Sequence, residues 1–107
     1  MANGILGTPA DLGAGSNTTI YTCPATTFAV VTINVANRAT QARNIRIGIS
    51  SNANPSNAEW IEYDSELLGN GVIERSGIVV DAGKNIVVRS NSTDVSAMVF
   101  GIETTTV

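Results

Sequence analysis

Histidine is missing altogether from these 107 residues, and cysteine occurs once, at Cys23. Without histidine the chain has neither the commonest metal ligand nor the side chain that most readily moves protons near neutral pH. A single thiol makes no intrachain disulfide, and as a nucleophile it would lack its customary base. Cys23 is therefore expected to be a buried structural thiol. Charged residues make up only 14% of the chain, against about 25% in an ordinary domain. The net charge is −3 and the isoelectric point about 4.6. Arg38, Arg43, Arg46, Arg75, Lys84 and Arg89 are scattered and never adjacent, so the sequence offers no basic footprint for nucleic acid or an anionic membrane. No apolar run approaches the ~20 residues of a membrane-spanning helix. The first residues lack the basic and apolar segments of a signal peptide, so synthesis and folding in a cytoplasm are expected, and the sequons at Asn17 and Asn91 are chance matches.

Lys, Glu, Gln and Leu, the good helix formers, are also sparse, while Thr, Ser, Asn, Gly, Val and Ile dominate. That balance belongs to strands and turns. Its clearest expression is at 28–37, where Val31, Ile33 and Val35 alternate with Thr32, Asn34 and Ala36. Residues 42–50 repeat the pattern with Ile45, Ile47 and Ile49 inward and Arg46 outward, and a loop of about five residues suggests that these two strands pair. Further strands are expected at 18–23, 59–64, 72–80 (one strand bulged at Ser76-Gly77, or two), 85–89 and 95–102. Gly69-Asn70-Gly71 reads as a hairpin turn. In the last strand Val95, Ala97 and Val99 face one way and Met98, Phe100 and Ile102 the other, which predicts a strand central to a sheet or covered by another subunit.

Seven to eight short strands with regular turn signals predict an all-β fold, an antiparallel β-sandwich of jelly-roll-like or immunoglobulin-like type. It would span residues 18–107. The Cys…Trp…Cys spacing of true immunoglobulin domains is missing. Residues 1–17, with Gly at 4, 7, 13 and 15 and Pro9 between, read as an extended flexible arm. Its anchors on a neighbouring subunit would be Ile5, Leu6 and Leu12.

The densest ionisable cluster is Glu59, Glu62, Asp64 and Glu66, beside the only tryptophan, Trp60. On a regular strand Glu62 and Asp64 would share one face, roughly 6–7 Å apart. A glycosidase pair comes from elements around a sugar cleft, and a calcium site needs more oxygen ligands in closer array. The plainer reading is a solvated edge whose acids pair with Arg75 or Arg89. No catalytic residue, metal ligand or cofactor-binding residue is assigned, and Trp60 is read as core or a subunit contact.

The succession Tyr21-Thr22-Cys23-Pro24-Ala25, then Asn34-Val35-Ala36-Asn37-Arg38, Ile61-Glu62-Tyr63-Asp64, Asn70-Gly71-Val72-Ile73-Glu74-Arg75-Ser76-Gly77-Ile78-Val79 and Ala82-Gly83-Lys84-Asn85-Ile86-Val87-Val88 resembles small virion structural proteins of tailed phages, cyanophages in particular. The likeness runs over 20–103 and leaves out the arm. It implies a non-enzymatic bacteriophage structural protein, most simply a capsid decoration (cement) protein that binds and stabilises the head shell. The alternative it implies is a tail or fibre-associated adaptor, including one that binds carbohydrate for host recognition through Trp60 or Tyr63. Expected partners are the major capsid protein or other virion proteins and further copies of the chain, with a trimer one arrangement. The expected partner contacts are Ile5, Leu6, Leu12, Trp60, Met98 and Phe100, and the expected location is the virion, assembled in the host cytoplasm.

Overall fold

The strands with the cleanest alternation lie at the centre of the molecule. A computed structural model describes residues 2–106, and among these are eight strands and one 3-10 turn. Strand β3 (Thr27–Asn37) buries Ala29, Val31, Ile33 and Val35, and β8 (Val95–Thr105) buries Val95, Ala97 and Val99. The two pair antiparallel along their whole length, from Thr27↔Thr105 to Asn37↔Val95. Strands β1 (Asn3–Asp11) and β6 (Val72–Val80) flank them, giving a sheet of order β1-β8-β3-β6. The second sheet is built from β2 (Thr18–Thr22), β4 (Arg43–Ser50), β5 (Trp60–Leu67) and β7 (Asn85–Ser90), in the order β2-β7-β4-β5.

Across the two sheets the first strand pairs with the last, the second with the seventh, the third with the sixth and the fourth with the fifth. This is one long antiparallel ribbon rolled over on itself, the topology of an eight-stranded jelly roll. Consecutive strands therefore cross from sheet to sheet, with β4–β5 the exception. Two expectations are corrected by this. Strands β3 and β4 do not pair, since β3 bonds β6 and β8 while β4 bonds β5 and β7. Gly69-Asn70-Gly71 is not a hairpin turn but the corner that carries the chain from β5 to β6 in the opposite sheet. The Gly71 amide bonds the Leu68 carbonyl at 2.9 Å, and only Asn70 has positive φ (57°), whereas a two-residue I′ hairpin needs it at both central positions. Both kinds of turn join half-buried strands, so hydrophobic alternation does not distinguish them.

The inner faces meet in one apolar core that includes Val31, Ile33, Val35, Ile45, Ile47, Ile86 and Val88. The arm belongs to this core as well. Residues 3–11 form an edge strand registered on β8 from Asn3↔Ile102 to Asp11↔Ser96, with a bulge between Leu6 and Ala10. Leu6 and Leu12 are 2% and 1% exposed, inside their own chain rather than offered to a neighbour. The Leu12 amide bonds the Val95 carbonyl at 2.9 Å, and the Gly15 amide bonds Ser90 at 2.8 Å. Gly7 (φ +63°) lies so close to β2 that an added Cβ would stand 2.0 Å from the Ile20 carbonyl oxygen. Glycine there brings β1 against β2 and closes one open side of the sandwich.

Below that contact the buried Tyr21 hydroxyl donates to Glu103 at 2.5 Å, and Glu103 also accepts from the Ala2 amide at 3.2 Å. The opposite open side, between β5 and β6, is spanned by the ion pair of Glu62 with Arg75. Strand β6 is continuous, with the bulge at Ser76-Gly77 between Arg75 and Ile78.

Candidate functional site

Alternation fixes what each sheet shows to solvent. On the β1-β8-β3-β6 sheet the outward residues are more often apolar than polar, with Thr32, Asn34, Ser96 and Thr104 interspersed. One row crosses all four strands as Asn3, Ile102, Val30 and Val79, and the next carries Ile5 opposite Phe100. Ile5 is 60%, Val79 59%, Val72 58% and Ile102 53% exposed. Charge on this face is confined to Glu74 on β6 and, at the end of β1, Asp11, which is paired with Arg38. The β1 bulge leaves a depression of about 320 Å³ beside Met98, walled by Pro9, Ala36 and Ser96. An apolar area spread over a whole sheet is the usual mark of a contact surface. The structure thus brings Ile5, Met98 and Phe100 together on one face. Leu6 and Leu12 lie beneath it in the core, and Trp60 lies on the other sheet.

Ile102, which the sequence placed on the same side as Met98 and Phe100, completes this face together with Val30, Val72 and Val79, which were not singled out from the sequence. The signal was a run such as Ile78-Val79-Val80, apolar on both sides of a strand that pairs on one edge only.

The outer face of the β2-β7-β4-β5 sheet has the opposite character. Two irregularities in the β4–β5 register, between Ile45 and Ile47 and between Ile47 and Gly48, break the alternation of β5 and disperse the carboxylate cluster. Glu62 turns to the rim, where it accepts from Arg75 and Ser65. Asp64, at φ 51°, stays on the outer face and holds Arg46 in a two-pronged ion pair at 2.7 and 3.1 Å. That pairing keeps the Asp64 carboxyl below, and the Arg46 guanidinium above, its ordinary pKa. Tyr63, exposed beside it, receives the Arg46 guanidinium over its ring at 4.0 Å and meets Trp60 edge-on at 5.8 Å.

Glu59 closes the single 3-10 turn, Asn57–Glu59, by accepting from the Ser56 amide at 2.8 Å, which lowers its pKa. Among the described residues no three side chains of metal-ligating type gather together. Cys23 is buried and donates to the Thr27 carbonyl at 3.4 Å, and burial pushes its thiol pKa up.

The β4–β5 loop folds back over this face. Gly48 lies beneath it, where a Cβ would stand 2.9 Å from Pro55 Cγ and 3.0 Å from Trp60 Cε3. With Val87 fully buried in the neighbouring strand position, the loop and Trp60 roof a small second apolar cluster. Trp60 is half-buried by that role, in keeping with its reading as a packing residue.

No family model, curated protein or solved structure matches the chain. The fold, an all-β jelly roll of two four-stranded antiparallel sheets, rests on the strand pairings themselves. Its two outer faces differ in character, one mainly apolar and one carrying paired charges and aromatic rings.

Proposed function

We propose that this chain is a non-enzymatic structural protein of a phage virion, a decoration protein that attaches in many copies to the head shell and braces it. The observation that carries this reading is the apolar, nearly uncharged outer face of the β1-β8-β3-β6 sheet. A face with four strands ~4.8 Å apart and about nine residues long covers on the order of 500–600 Å². That is somewhat less than the ~800 Å² per partner of a standard stable interface. Contacts of this size are weak singly and strong when many copies engage an array together. The resemblance expected from the sequence over residues 20–103 belongs to the same reading, and Glu59, Glu62 and Asp64 are engaged separately, by Ser56, by Arg75 and Ser65, and by Arg46. Ile5, Val79 and Ile102 are the apolar contacts, and the depression beside Met98 accepts a projecting side chain of the capsid subunit or of a second copy.

The test compares purified capsids with and without the protein for survival of heat and osmotic shock. Capsids carrying it should survive better, and an Ile102→Glu variant, whose change falls on an exposed side chain outside the core, should fail to attach. Equal survival, or attachment undiminished by Ile102→Glu, overturns the reading, as does an image of the intact particle that places the chain on the tail.

A further inference from the structure

Arg46 on β4 and Arg89 on β7 stand directly opposite each other on adjacent antiparallel strands. Like charges in that position are destabilising. Arg46 is compensated by Asp64. Arg89 makes no hydrogen bond or ion pair among the described residues, and it is half-buried on the face that carries Tyr63. It borders a concavity of about 360 Å³ that also takes in Arg46, Asp64, Asn44, Asn91, Ser90 and Gly15. Gly15, at φ +67°, flanks the Arg89 guanidinium, and an added Cβ there would stand 3.9 Å from its nitrogen, an ordinary contact distance. The Asn91 side-chain oxygen is already used, accepting from the Asn44 amide at 3.1 Å, which leaves its NH₂ to donate outward. The Asn44 side chain has no partner among the described residues. From this concavity the surface continues past Arg46 to the exposed Tyr63 ring and on to a second hollow of about 310 Å³ between Asn57, Trp60 and Tyr63.

We propose that this strip binds an acidic saccharide, a uronic or sialic acid unit within a short oligosaccharide, with its carboxylate on Arg89. Arg46 and Arg89 face a single carboxylate, Asp64, in this concavity, so one positive charge is left over to match one ligand carboxylate, and the planar fork of arginine bonds that group through two parallel N–H···O contacts. Asn44 and Asn91 supply neutral amides suited to sugar hydroxyls. Tyr63 and Trp60 supply ring surface for the apolar side of the next unit. The carboxylate also relieves the repulsion between the facing arginines, so binding adds stability where the free protein carries a cost. The site is on the opposite sheet from the proposed head-shell contact and does not depend on it.

The test is an NMR titration of the folded protein with a glucuronic-acid-containing trisaccharide, its neutral glucose counterpart and a hexaglutamate peptide. The acidic sugar should shift the amides of Arg46, Arg89 and Asn91 and bind at least tenfold more tightly than the neutral one. Arg89→Gln should weaken it at least tenfold and Arg89→Lys by less, because lysine keeps the charge and loses the fork. Lys84→Gln should leave binding unchanged. Equal binding of acidic and neutral sugars, indifference to Arg89→Gln, absence of shifts at millimolar sugar, or tighter binding of the peptide than of the sugar would each overturn the proposal. Loss of capsid attachment in Ile102→Glu leaves this titration unaltered, so the two readings fail separately.

Discussion

Replacing Tyr21 by phenylalanine removes one oxygen from the seam that closes the sandwich between β2 and β8. The lost bond is short, 2.5 Å, and its acceptor is a carboxylate. Hydrogen bonds to charged groups contribute about 1.5–3 kcal/mol. Glu103 is only half-buried and keeps the Ala2 amide, so water recovers part of the loss and the lower end, about 1.5 kcal/mol, is expected. For a domain of this size that lowers Tm by roughly 6–12 °C at pH 7.

The pH dependence provides an independent check. Burial, and after it donation to Glu103, raises the Tyr21 pKa in the folded chain above the ordinary value of about 10. The unfolded chain therefore loses the phenolic proton first. The stabilisation is fully present below about pH 10 and falls as the pH rises above it, by up to ~1.4 kcal/mol per pH unit. Cys23, also raised by burial, behaves likewise from about pH 8.5, so the informative quantity is the difference between wild type and Tyr21→Phe. Melting curves at pH 7, 10 and 11 measure it. Equal melting temperatures at pH 7, or equal rates of loss between pH 10 and 11, would refute the account of this seam.

Leu6→Ala opens a cavity under β1 and should cost about 2–5 kcal/mol, with hydrogen exchange speeding up at the β1 amides. An arm that only docks on neighbours would show no such change in the isolated protein. Thr26 is a β-branched residue held at φ 54°, a conformation that costs it about 1–2 kcal/mol. Thr26→Gly should therefore raise stability by about 0.5–1 kcal/mol after the added freedom of the unfolded chain is subtracted, read from denaturant midpoints at unchanged m-value. Glu62→Gln should cost no more than about 1 kcal/mol, because Arg75 stays partly hydrated; a larger loss in thermal melts would make the rim ion pair a structural requirement.

The parts of the fold legible in the sequence were those where burial follows a period of two. Strands β3 and β8 show it, β4 and β7 follow it except at Gly48 and Val87 beneath the β4–β5 loop, and the apolar outer residues of β8 mark a strand that does sit inside a sheet, between β1 and β3. Strand β1 was hidden because it lies at an edge, is interrupted by a bulge at 7–9, and buries Leu6 almost alone. Gly7, one of the glycines that signal flexibility in isolation, is what lets it approach β2. The Arg46, Tyr63 and Asp64 cluster was hidden for a related reason. Simple alternation puts Tyr63 opposite Asp64, and only the β5 bulges bring both to one arginine. Which sheet a strand joins was not legible, because the inner faces of both sheets carry the same apolar pattern.

Strand β8 has a consequence for the order of events in the cell. It is the last of the eight strands to be synthesised, yet it occupies the middle of its sheet and registers β1 and β3 on either side. Until it emerges, β3 has one edge unpaired over eleven residues, the kind of edge that invites pairing with other chains. Pairing Asn3 with Ile102 closes a loop that contains all the strands between β1 and β8, a slow step in folding. Met98, Phe100 and Ile102 also reach the outer face only with β8 in place. A nascent chain therefore holds no finished docking surface, and attachment to any partner through that sheet must wait until translation has passed its final strand.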